Sequence, residues 1–323
     1  MSFGQIIGQR QAVAFLQAAY SSGRLAHAFL FVGPAGVGKA KTARAFAQLL
    51  LCERPQANAG CGACGSCRKV AAGRHPDLMV LEPDGEFIKI EAVRGAGRFA
   101  SLKPFEGQRK VLIVDPAHAM NEEAANALLK TLEEPSPETT LILIAESIHR
   151  LPGTIVSRCQ RVAFGALAPE DLQALLVGRL GVERGAAAEL SRLCEGSAGE
   201  ALRFYEDGVL AERDALLRFL SGEGPMKEAD AWTGDRQQML RLLRALALWY
   251  RDLLAMKTSG PVDLLLQPAA APALERQGRQ MESTAILQSL AVIARVSQDI
   301  RYHASMRLAL EEMRTQLWTL SHT

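Results

Sequence analysis

Residues 29–39 constrain this chain more than any other stretch. Phe29-Leu30-Phe31-Val32 is a continuous apolar run, as expected of a strand buried on both faces. It stops at Gly33-Pro34-Ala35-Gly36-Val37-Gly38-Lys39, and residues 38–51 carry a helical pattern. Strand, glycine-rich turn and helix in that order form a phosphate cradle. The glycines let backbone N–H groups turn inward, the helix N-terminus adds its dipole, and the Lys39 ammonium reaches the outer phosphates. Gly33, Gly36, Gly38 and Lys39 are therefore candidate nucleotide contacts. The fold that carries such a loop is a parallel α/β sheet, and the next segments supply one. Strands are expected at Leu78–Leu81, Val111–Val114, Leu141–Ile144 and Arg161–Phe164, with helices over 10–22, 91–101 and 121–133 between them. On the first helix Val13, Leu16 and Tyr20 share one face.

The pattern changes after Pro169. No further strand is expected. Short helices are read at 170–180, 184–195 and 199–206, and longer ones at 209–221, 235–256 and 282–320. Gly222–Pro225 and the Pro/Ala segment 268–273 read as loops. The expected fold class is thus α/β followed by all-α, in three parts: an α/β phosphate-loop domain over 1–166, a small helical domain over 167–207 and a helical domain over 208–323. With 323 residues the chain is long enough for two or three domains. Its net charge of +2 excludes a polycation that coats nucleic acid along its whole surface. No apolar run approaches a membrane span, and Met1-Ser2-Phe3-Gly4-Gln5 lacks a basic stretch followed by an apolar one. A cytoplasmic setting is the expectation.

The loop lacks parts that hydrolysis needs. The residue after the loop lysine should carry a hydroxyl for Mg²⁺, and here it is Ala40. Thr42 lies two positions on, rotated well away from the loop. Asp115 ends the third strand, where a carboxylate helps hold Mg²⁺, but Pro116 stands where a second acidic residue usually orients water. Nucleotide binding is therefore doubtful and hydrolysis is not expected. No Ser-His-Asp or paired-carboxylate arrangement suggests a hydrolase of another kind.

Four of the six cysteines are crowded: Cys52, Cys61, Cys64 and Cys67. In a reducing compartment they are free thiols or metal ligands. Four thiolates suit tetrahedral zinc and leave no open coordination position, so a structural rather than catalytic ion is expected. His75 reads as a solvated spare donor and Cys194 as a small buried hydrophobe. Arg94, Arg98, Lys103, Arg109 and Lys110 make 94–110 locally basic, which suits either phosphate contacts or a solvated helix face. Trp232, Trp249 and Trp318 read as core or contact residues of the helical part, and Arg161 as structural.

Several strings together resemble the clamp-loader branch of AAA+ proteins over nearly the whole chain. These are Phe3-Gly-Gln-Ile-Ile-Gly-Gln9, His27-Ala-Phe-Leu-Phe31, Lys103-Pro-Phe-Glu-Gly107, Asn126-Ala-Leu-Leu-Lys-Thr-Leu-Glu-Glu-Pro135 and Ser157-Arg158-Cys159. Arg307-Leu-Ala-Leu-Glu311 is similar to a further motif, although Ser305 stands where Asn is commoner. The resemblance implies a ring of five related subunits that opens a sliding clamp and places it on primed DNA. It implies a lid over 167–207, a collar of C-terminal helical domains over 208–323, and partners of the gamma or tau and delta type. ATP sits at subunit interfaces, and Arg158 is implied to project into a neighbour's site. A zinc module at about 52–76 is implied, as is DNA facing Arg94 and Arg98. Gly196-Ser-Ala-Gly199 resembles a Gly-Ser-x-Arg segment that in such proteins supplies a γ-phosphate-sensing arginine, and Gly199 stands in that arginine's place. An active gamma-like ATPase is the rival reading, and Ala40, Pro116 and Gly199 stand against it. A free-standing zinc-dependent nucleic-acid-binding module is another, and it leaves the Ser-Arg-Cys triplet unexplained.

Overall fold

A computed structural model of the chain describes residues 2–222, 225–258 and 264–322. The chain packs as two compact units, Met1–Leu175 with Gly196–Gly199, and Leu176–Glu195 with Glu200–Thr323. Residues 167–207, expected as a separate small domain, are thus shared between the two.

The first unit is a five-stranded parallel sheet: β1 (Ala28–Val32), β2 (Leu78–Leu81), β3 (Lys110–Val114), β4 (Thr139–Ala145) and β5 (Gln160–Ala163), in the order β2-β3-β4-β1-β5. Around it lie α1 (Arg10–Ser21), α2 (Lys39–Leu50), α3 (Gly65–Ala71), α4 (Ile90–Ser101), α5 (Glu122–Glu133) and α6 (Gly153–Val156). The strands carry apolar residues on both faces because helices cover both. On one face Leu30, Leu112, Val114, Leu141 and Leu143 pack with Val93 and Ala96 of α4 and Leu128 and Leu132 of α5. On the other, Phe29 meets Phe46 of α2 edge-on at 5.4 Å. Asn121 caps α5 by accepting the Ala124 N–H at 2.9 Å, which fixes where that helix starts. The five expected strands stand within one or two residues of their predicted bounds. α3 was not foreseen, because the cysteine-rich segment shows no helical period.

α7 (Pro169–Leu180) begins in the first unit and ends in the second. The second unit is helical: α8 (Arg184–Leu193), α9 (Ala198–Glu206), α10 (Val209–Leu220), α11 (Arg236–Lys257), α12 (Ala271–Gln280), α13 (Ser283–Arg301) and α14 (Met306–Ser321). α9 contributes its first two residues to the first unit. The core lies along α11, whose Leu242, Leu243, Leu246, Trp249 and Leu253 are buried against α10, α12 and α13. Arg213 is buried here among Glu189, Asp214 and the side-chain oxygen of Gln267, with its guanidinium over the Trp249 ring.

Two expectations fail in this unit. The Pro/Ala segment 268–273 is not a loop. Pro268–Ala270 makes a short turn and α12 starts at Ala271, with a proline in its first turn, where the missing N–H costs nothing. Residues 282–320 are not one helix. The chain breaks after Arg301, with His303 at φ +70 and the Ala304 N–H returned to the Asp299 carbonyl before α14 begins. Glu223 and Gly224 of the loop read at Gly222–Pro225 lie outside the described residues. Among those described, no helix is long and apolar enough to cross a membrane.

Candidate functional site: a phosphate loop, a cysteine cluster and a paired arginine

Strand register builds the first site. Val32 lies opposite Ala145 of β4 and Ala163 of β5, and Val114 opposite Leu143. The loop after β1, Asp115 after β3 and Glu146 after β4 therefore emerge together at the carboxyl ends of the strands, where α/β sheets place ligands. They line a cavity of about 400 Å³ with Gly36, Gly38, Lys39 and His118. The Gly33 N–H is tied to the Ala145 carbonyl at 3.3 Å.

The cavity brings together the glycines, a lysine and two carboxylates, and the residue after the lysine carries no hydroxyl. Lys39 folds back and donates to the Gly33 and Pro34 carbonyls, both at 2.6 Å. Burial pulls its pKa down, against the pull of the Glu146 and Asp115 carboxylates. Burial pushes Asp115 up, with Glu82 adding to it and Lys39 opposing. Ala40 lines the cavity, and its methyl side chain offers no oxygen. The Thr42 hydroxyl is spent on the Gly38 carbonyl at 2.9 Å, one turn back along α2.

Gly196–Gly199 closes on the loop's outer edge. Ser197 Oγ donates to the Ala35 carbonyl at 2.9 Å, and the Gly199 N–H to the Gly36 carbonyl at 2.9 Å. Gly36 has φ +73, and a Cβ there would lie 2.3 Å from Ser197 Oγ. A Cβ on Gly199 would stand 3.0 Å from Gly36 Cα. No side chain reaches the cavity from position 199. Glu146 and His118 were missed in the sequence. The sequence does carry a signal for Glu146, which follows a strand at the same end of the sheet as Asp115. It pairs with Arg150 at 2.7 Å. Burial and Arg150 hold the His118 pKa down.

The four crowded cysteines do come together. Their sulfurs all lie within 4.8 Å of one another, with Cys52–Cys64 and Cys61–Cys67 each at 3.9 Å. Four sulfurs about 2.3 Å from a tetrahedral zinc ion stand about 3.8 Å apart, so the donor set fits zinc. The sulfurs also receive backbone N–H groups: Cys61 to Cys52 at 3.3 Å, Cys64 to Cys61 at 3.4 Å and Cys67 to Cys64 at 3.3 Å. Such bonds stabilise thiolate charge and orient the ligands. Amides of Ala63 and Cys64 pull Cys61 down to about 6, while burial pushes Cys52 up. The cluster could hold a zinc ion. His75 is not solvated: it is 3% exposed, and its Nδ1 accepts the Asp77 N–H at 3.0 Å.

Arg158 follows α6 and does not hang free. Its Nη1 donates to the Thr154 carbonyl at 2.9 Å, and its Nη2 pairs with Glu133 Oε1 at 2.8 Å. Cys159 beside it is partly buried against the sheet core, and Arg161 is exposed on β5.

Of the basic stretch, Arg94 and Arg98 lie on α4 and line a groove of about 430 Å³ with Lys130 and Thr131 of α5. Lys110 does not belong to that surface. It is 4% exposed, 3.4 Å from Asp77 and over the Phe99 ring at 4.0 Å. Its place at the start of a fully buried strand overrides its charge. Trp249 is buried, Trp232 donates to Glu212 at 2.7 Å, and Trp318 is exposed and stacked on His322.

A family model described as "DNA polymerase III, delta subunit" matches residues 8–168. The chain is 44% identical over 197 residues to DNA polymerase III subunit delta' of Pseudomonas aeruginosa, covering 59% of this chain and 60% of that one. Subunit delta' of Bacillus subtilis is 29% identical, covering 88% and 89% of the two chains. Subunit tau of Escherichia coli is 30% identical, covering 90% of this chain and 44% of that protein. The matched stretches thus span less than two thirds of the Pseudomonas and Escherichia relatives. Among solved structures, a DNA polymerase III gamma subunit-related protein of Thermotoga maritima superposes with a TM-score of 0.54 at 19% identity, covering 96% of this chain and 99% of that one. In sequence over residues 8–168 the chain is thus similar to the clamp-loader subunits of DNA polymerase III, and its five-stranded parallel sheet shares the fold of the Thermotoga protein.

Proposed function

We propose that this chain is the delta-prime subunit of a clamp loader. In this reading it is a cytoplasmic member of a five-subunit ring with gamma or tau and delta that does not hydrolyse ATP. It completes a neighbour's ATP site with Arg158 and helps place the sliding clamp on primed DNA for the polymerase. The observation that carries the reading is the phosphate loop without a metal-binding hydroxyl: Ala40 has none, and the Thr42 hydroxyl is bonded to Gly38. Pro116 and the close packing of Gly199 on Gly36 support it. A guanidinium supplied in trans offsets charge on the transferring phosphoryl group, so a subunit can serve catalysis without a working site of its own.

The residues divide by role. Gly33, Gly36, Gly38, Lys39 and Asp115 form a degenerate nucleotide site that holds ATP or ADP weakly at most. Cys52, Cys61, Cys64 and Cys67 hold a structural zinc. Arg94 and Arg98, with Lys130 across the groove, meet DNA phosphates, sequence-independent contacts that suit a loader. Residues 167–207 act as a lid and 208–323 as the collar that joins the ring. The similarity to tau favours a second reading, an active gamma- or tau-like ATPase. Purified alone, the chain is expected to show no clamp- or DNA-stimulated ATP hydrolysis. Sustained turnover that follows the protein through purification selects the second reading instead.

A further inference from the structure

We infer that Glu133 is the positioning residue of Arg158, fixing the guanidinium in the orientation it presents to a neighbouring subunit. The inference rests on the trans role proposed above for Arg158 and adds a residue to it.

Two backbones that cannot move much hold the pair. Glu133 is the last residue of α5, next to Leu132, which is 2% exposed. Arg158 follows α6, whose Ile155 is fully buried and whose Thr154 carbonyl takes one of the Arg158 N–H groups at 2.9 Å. Glu133 takes another, from the second Nη, at 2.8 Å. A guanidinium is planar, so two acceptors on two fixed elements set its plane as well as its place. The Nε–H has no partner among the described residues and stays available to an incoming phosphate.

The electrostatics explain why an acid stands there. A carboxylate at a helix C-terminus meets the negative end of the dipole and is disfavoured by itself. Beside Arg158 the same placement becomes favourable, because the guanidinium offsets the carboxylate's charge. Both side chains are partly exposed, 36% for Arg158 and 49% for Glu133. Such a pair adds little to folding stability, so Glu133 matters for aim rather than for the fold. A small error of aim at a reacting phosphoryl group is costly, which makes a weak pair effective there.

The test uses the assembled ring with clamp and primed DNA, after co-elution shows that each variant assembles. Glu133→Ala is expected to lower kcat for ATP about threefold to tenfold with KM for ATP unchanged. Glu133→Gln keeps an acceptor oxygen and is expected to restore most of that loss. In an Arg158→Ala background, Glu133→Ala is expected to change nothing further, since its only route is through Arg158. Wild-type kcat in Glu133→Ala overturns the inference, as does an equal loss in the Arg158→Ala background. If Arg158→Ala itself leaves turnover untouched, the trans-arginine reading falls, and the positioning role falls with it.

Discussion

At the scale of single residues, the buried carboxylate of Asp77 shows how much one side chain can organise. It is fully buried, and it accepts the N–H groups of Phe105 at 2.7 Å, Glu106 at 2.9 Å and Gly107 at 3.0 Å, beside Lys110. Burial alone pushes its pKa up, but the three amides and Lys110 outweigh this and hold it below the ordinary value. Asp77→Ala leaves Lys110 buried without its partner and is expected to cost about 3–5 kcal/mol, read from urea unfolding midpoints. The pH dependence follows from the direction of the shift. A depressed carboxylate contributes stability that is fully present above its unfolded value, about 3.9, and is lost as pH falls through the folded value. The gap in urea midpoint between wild type and Asp77→Asn is therefore expected to be widest near neutrality and to shrink below about pH 4. The sequence could place Phe105 and Gly107 in a motif, but not the carboxylate that holds that motif. Asp77 lies in a segment with no period to mark its burial. Lys110 and His75 were misread for the same reason, since charge and polarity alone say nothing about which buried partner awaits them.

At the scale of elements, local pattern served well wherever one face decided the structure. The β1 run, the phosphate loop and α2 were legible because a doubly buried strand, positive-φ glycines and an apolar helix stripe each leave a mark in sequence. The cysteine module was legible as ligand spacing but not as structure. Its helix α3 has seven residues, too few to hold by propensity. Its N-terminus is Cys64, whose sulfur accepts the Cys67 N–H. A bound ion would fix both. Protein prepared without chelator is expected to carry about one zinc per chain, and Cys61→Ser less than a fifth of that. Zinc-free wild-type protein would contradict the metal reading. Removing the ion is also expected to lower the thermal midpoint, checked by scanning with and without a zinc chelator. The Pro/Ala stretch before α12 misled because proline marks a helix start as readily as a loop.

At the scale of the whole molecule, near-neutral charge and a half-apolar composition say that the chain folds, and little about what it meets. The residues of the proposed function are instead spread over distant positions that only the sheet gathers: Lys39, Asp115 and Glu146 at the strand ends, and Arg158 against Glu133. A ring subunit is expected to co-elute with gamma or tau and delta in gel filtration, and a lone zinc module is not. In the proposed function this chain contributes an arginine rather than a working ATP site. The most direct test is the clamp- and DNA-stimulated ATPase of the reconstituted ring carrying either wild type or Arg158→Ala of this chain. With the variant, the ring is expected to stay intact and its turnover to fall at least about tenfold. Full turnover in a ring shown to contain Arg158→Ala would contradict it.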